Sequence, residues 1–148
     1  MTSSDPTSAP DAIFDDPLAD AIPKAAADVP AEPVEAPEAL ALAHRLIEVL
    51  ADRQAEDVVL LDLTALAAFT DYFVIASGGS ERQLRALVDG VMRAVPGLGR
   101  AEQEGDATGG WVLLDCGGVV VHLFSAERRT YYDLEGLWSR AQEVVRIQ

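Results

Sequence analysis

The run WVLLDCGGVVVHLF, residues 111–124, constrains the fold more than any other stretch of the chain. Two apolar, β-prone segments flank Gly117-Gly118, a pair able to take the positive φ values of a two-residue turn. A hairpin closed there fixes its own register. Cys116 then faces Val119, Asp115 lies opposite Val120, Leu113 faces His122, and Trp111 faces Phe124. Because side chains alternate along a strand, Trp111, Leu113, Asp115, Val120, His122 and Phe124 share one sheet face. Two strands do not hold alone in water, so the chain must supply more of the sheet and something to cover it.

The remaining segments supply both. PEALALAHRLIEVLADRQ places Leu40, Ala43, Ile47 and Leu50 at helical spacing, with Pro37 in a first turn that tolerates it. DVVLLDLT is a mostly apolar run, the mark of a strand covered on both faces. ALAAFT is a connector of about one helical turn, and YFVIAS a second strand rich in aromatic and β-branched residues. Ser80 and Gln83 form a capping-box pattern ahead of a stripe from Leu84 to Val95, which Pro96-Gly97 ends. A third strand is expected near Arg100 to Glu104, paired parallel to the second through a right-handed crossover. After the hairpin, Leu134, Leu137, Trp138, Ala141 and Val145 predict a final helix from about Thr130 to the end. The expected fold class is α/β: a mixed, roughly five-stranded sheet with about three helices.

Charge divides the chain in two. Up to Glu38 there are nine acidic residues against the single Lys24, and seven of the eight prolines lie at or before Pro37. Residues 1–37 are therefore expected to be a disordered acidic tail, too poor in large apolar side chains to offset its ordering entropy. Residues 38–148 form the domain. The net charge of −14 argues against general attraction to nucleic acid phosphate and for a basic partner surface. No apolar run approaches a bilayer span, and the N-terminus lacks a basic stretch followed by an apolar one. With one cysteine, Cys116, these features predict a cytoplasmic protein.

Gly78-Gly79-Ser80, between a strand and a helix, has the layout of a phosphate-binding turn. The acids such a site needs are missing. No Asp-x-Asp or Asp-x-Glu follows on a buried strand, and Glu102 and Glu104 alternate correctly but lack apolar flanks. No lysine follows Lys24, so a GxxxxGK[ST] loop is absent as well. His44 and His122 have no cysteine or second histidine at metal spacing. Cys116 has no cation beside it to activate the thiol. Neither catalytic residues, nor a metal, nor a cofactor is expected. Two readings stay open: a protein-binding module, and a degenerate nucleotide enzyme.

DYFVIASGGSERQ, Glu104-Gly105, WVLLDCGGVVVHLF and ERRTYYDLEGLW, in this order, closely resemble the ribosomal silencing factor family, also called RsfS or Iojap. The resemblance covers about residues 40–140. It implies a nucleotidyltransferase-like shape without the catalytic acids. It also implies binding to the large ribosomal subunit through ribosomal protein fourteen, steric blockage of subunit joining, lower translation when nutrients are short, and a possible homodimer. Organelle relatives assist large-subunit assembly. Carried over by position, the partner-binding candidates are Asp71, Tyr72, Glu104, Trp111, Asp115, His122, Arg129 and Tyr132. Gly118 departs from the pattern, which often has Asp there, and the acidic tail lies outside it.

The helix stripes at Leu84 to Val95 and Leu134 to Val145 supply cover for one sheet face. The other, carrying Trp111, Asp115 and His122, is therefore expected to meet a partner, a large aromatic beside a carboxylate and an imidazole being suited to an interface.

Overall fold

The computed structural model describes residues 36–148, with Ala67 excepted. The tail expected over 1–37 lies outside these residues but for its last two positions, which begin the first helix. The chain runs α1 (Ala36–Asp52), β1 (Glu56–Asp62), β2 (Tyr72–Gly78), α2 (Glu81–Ala94), β3 (Gln103–Glu104), β4 (Trp111–Asp115), β5 (Val119–Ser125), α3 (Ala126–Tyr132), α4 (Leu134–Leu137) and β6 (Gln142–Ile147). Short 3-10 turns at Thr64–Leu66, Arg100–Glu102 and Ala107–Gly109 join them.

The hairpin forms as its glycines dictate. Gly117 and Gly118 take φ of 74° and 79°, and the Cys116 amide donates to the Val119 carbonyl at 2.8 Å. Trp111 pairs with Phe124, Leu113 with His122 and Asp115 with Val120, the register required by a two-residue turn.

One sheet of six strands results, in the order β3-β4-β5-β2-β1-β6. Two expectations are corrected here. The strand at 103–104 is not parallel to β2; it pairs antiparallel with β4 at the sheet edge, and the parallel partner of β2 is β5. A two-residue Gln-Glu strand has no apolar side chain for a central place, whereas Val119–Val121 match the buried faces of β2. The final helix is also replaced. After one helical turn at Leu134–Leu137, the chain extends as β6 along the outer edge of β1. Val144, Val145 and Ile147 are β-branched and poor in helix propensity, and β1 offers a row of backbone groups that a helix would leave unpaired.

Both faces of the sheet are covered. On one, α1 and α2 pack Leu46, Leu50, Leu84 and Leu87 against Val58, Leu60, Val74, Val121 and Leu123. On the other, Tyr132, Leu134 and Trp138 close over Val59, Phe73, Trp111 and Phe124. The second layer is thin, because α3 and α4 together span only three turns or so.

At the glycine turn, Ser80 caps α2 by accepting from the Gln83 amide at 3.0 Å. Gln83 reaches back to the Gly79 amide at 2.6 Å and donates to the Gln54 carbonyl at 2.6 Å, tying α2 to the α1–β1 corner. Space is tight at Gly78, where a Cβ would sit 3.1 Å from the Leu84 amide nitrogen. The turn's shape thus follows from close strand–helix packing.

Candidate functional site: an acidic rim

Strand direction gathers the carboxylates. β1 ends at Asp62, opposite Tyr72 at the start of β2. Tyr72 lies beside Val119 at the start of β5, and β4 ends at Asp115. β3 begins at this same end, preceded by Glu102. Across the sheet one rim therefore presents Glu102, Asp115, the Gly117-Gly118 turn, Asp71 and Asp62.

The rim is held by local bonds. Asp62 accepts from the Thr64 amide and hydroxyl at 2.8 and 2.6 Å, and Asp115 accepts from the Gly117 amide at 3.1 Å. The Asp71 amide donates to the Gly118 carbonyl at 3.2 Å, joining β2 to the hairpin tip. The ion pairs formed among the described residues use Asp57, Glu81, Asp89, Glu135 and Glu143, and none reaches the rim. The field of the unanswered charges registers on two neighbours. Burial first, then Asp62 and Asp71, push the Tyr72 phenol up from its ordinary value. Burial, followed by Asp115 and Glu102, pushes the Cys116 thiol up to about 12, so that thiol is inert.

The candidates read from sequence divide sharply. Asp71 and Asp115, half-buried, stand on the rim, and Glu104 is exposed beside it on β3. Tyr72 lies at the rim with its ring buried. The expectation that Trp111 and His122 project toward a partner is corrected. Their exposures are 1% and 0%, because α3 and α4 cover the face that they share. Trp111 Nε1 donates to His122 Nδ1 at 3.2 Å, and Phe73, Phe124 and Tyr132 pack around the pair. Burial holds His122 far below an ordinary histidine, at about 3, so it is neutral. Arg129 and Tyr132 are interior as well. Arg129 donates to the Asp57 carbonyl at 2.6 Å, Ser77 Oγ at 2.9 Å and Glu135 at 3.0 Å, which makes it an internal tie.

Asp62 was missed by the sequence reading, and Glu102 was weighed there only as a metal ligand. Their signal is positional: an acid at each strand end, brought to one side of the sheet by strand alternation. Among the described residues no three histidine, cysteine or acidic side chains are placed to hold a metal ion, and no helix is long and apolar enough to cross a membrane.

These features define an α/β domain with an unpaired acidic rim. Solved structures share the fold. The crystal structure of a Chromobacterium violaceum protein superposes with a TM-score of 0.62 at 36% identity, covering 76% of this chain and 92% of that one. A Bacillus halodurans structure gives 0.59 at 35% identity, covering 73% and 97%.

The model of the family "Ribosomal silencing factor during starvation" matches residues 35–148, and the chain belongs to that family. The ribosomal silencing factor RsfS of Bacillus subtilis is 38% identical over 92 residues, 61% of this chain and 78% of the relative. The mouse "Mitochondrial assembly of ribosomal large subunit protein 1" is 34% identical over 99 residues, 64% of this chain and 43% of that protein.

Proposed function

We propose that the protein is a cytoplasmic, non-enzymatic repressor that binds the large ribosomal subunit through ribosomal protein fourteen. Seated on the intersubunit face, it blocks the small subunit sterically and lowers translation when nutrients are short. Family membership supports this reading. The observation that carries it is the acidic rim, whose carboxylates form no ion pair among the described residues. Such a rim is drawn to Lys and Arg of a basic protein surface and repelled by ribosomal RNA. Asp71, Asp115 and Glu104, joined by Asp62 and Glu102, are its contact residues. A homodimer fits β6, an edge strand with Val144 and Ile147 both 41% exposed.

A second reading, large-subunit assembly factor, is favoured by the name of the mouse relative. Lysate sedimentation with a tagged chain separates the two. A repressor travels with mature free large subunits; an assembly factor travels with precursors lacking late proteins. A chain that stays at the top of the gradient contradicts both.

A further inference from the structure

At the corner where β1 ends and β6 begins lies a groove of about 370 Å³. Ala65, Leu66, Leu137 and Trp138 line it, together with Arg140. Leu137 is 55% exposed, and Trp138 is only partly covered. A solvated leucine beside a half-open indole is apolar surface that the domain itself leaves unburied. Arg140 is exposed and forms no ion pair among the described residues, and no carboxylate lines the groove. A complementary segment brings large apolar side chains with acids beside them.

The chain carries such a segment ahead of α1. In DAIFDDPLADAI, residues 11–22, the apolar Ile13, Phe14, Leu18 and Ile22 alternate with acids, and no cation lies among them. The exit of the tail is also well placed. The end of α1 is tied to the start of β1, the Ala55 amide donating to the Leu50 carbonyl at 2.9 Å, and β1 runs from there toward Asp62 at the rim. Packed back along the sheet, α1 therefore has its first turn, at Ala36, at the groove's end of the domain. Residues 23–35 bridge the gap. A chain of that length spans about 20 Å when flexible and at most about 45 Å when extended, enough to round the sheet edge.

We propose that residues 11–22 of the chain's own N-terminal tail dock in this groove. Phe14 and Leu18 pack against Leu66, Leu137 and Trp138, and the Asp15–Asp16 pair meets Arg140. A short tether gives an effective concentration in the mM range, so a contact too weak to form between separate molecules is populated within one. The docked tail covers apolar surface next to the rim and yields to a competing partner. This inference is independent of the ribosome reading and stands or falls without it.

The test places a nitroxide on Ala12→Cys in the full chain and reads amide and indole peaks by NMR. Cys116 is buried and its thiol is pushed up to about 12, so it stays unlabelled. Selective loss of the Leu66, Leu137 and Arg140 amide peaks and the Trp138 indole peak is expected, with their return when the nitroxide is reduced. Phe14→Ser/Leu18→Ser, two changes outside the domain, should restore those peaks. Arg140→Glu should weaken the loss, and Asp15→Arg/Asp16→Arg on that background should bring it back. A nitroxide that broadens no peak selectively at the groove would overturn the proposal, as would broadening that persists in Phe14→Ser/Leu18→Ser. Equal broadening of an isotope-labelled chain by a separate spin-labelled chain would give the groove to a second copy and overturn it too.

Discussion

His122 should make this domain lose stability on mild acidification. Its imidazole is fully buried, accepts from Trp111 Nε1, and is held neutral at about 3. In the unfolded chain the same group has a value of about 6.5. Below pH 6.5 the unfolded state therefore takes up a proton that the folded state refuses, and stability falls with pH until the folded value is reached. Between pH 7 and pH 5 the loss from this residue is about 2 kcal/mol. Glu135 also titrates low, but with the opposite arrangement of partners. Although burial raises it, bonds and charge from Arg129 and Arg146 bring it below 4.5, so its contribution is lost only at more acidic pH. Urea unfolding at pH 7, 6 and 5 isolates the histidine when run beside His122→Gln, which retains an acceptor for Trp111 and cannot titrate. Wild type should lose about 2 kcal/mol across the window and the variant a small fraction of that. Equal pH slopes for the two proteins would refute the assignment.

Four further outcomes follow from the same structure. Ser80→Ala removes the α2 cap and should cost about 1 kcal/mol in urea unfolding. Trp111→Phe should cost about 1–3 kcal/mol, because His122 Nδ1 loses the indole donor while remaining buried. Incubation with each nucleoside triphosphate and magnesium or manganese should give no turnover above buffer; activity abolished by Ser80→Ala would show a working phosphate site at the glycine turn. Deleting residues 1–37 should leave large-subunit affinity within a few-fold, and a loss of about a hundredfold would assign the tail a direct contact.

Much of the sheet was legible because its signals were local. The Gly117-Gly118 turn fixed a register that needs no tertiary information, and the Ser80–Gln83 pair marked the start of α2. Errors came where long-range pairing decided. Leu134, Leu137, Trp138, Ala141 and Val145 have helical spacing, yet the open edge of β1 draws residues 142–147 into a strand. The same misreading left one sheet face bare, which made Trp111 and His122 look available to a partner. With α3, α4 and Trp138 closed over that face, its aromatics are interior, and the rim at the opposite end of β4 keeps its carboxylates at the surface. Asp62 escaped notice, and Glu102 was weighed only as a metal ligand, because their place on the rim depends on strand direction, which composition does not carry.

Association of purified small and large ribosomal subunits, followed by light scattering with the chain added first, tests the central claim most directly. The wild-type chain should block association when present in slight excess over large subunits. Asp71→Arg/Asp115→Arg, folded by circular dichroism, should fail to do so, since two reversed charges facing a basic surface cost several kcal/mol in binding. Full association in the presence of a saturating, folded wild-type chain would rule out steric occlusion, and undiminished blocking by the doubly reversed variant would rule out the rim as the contact surface.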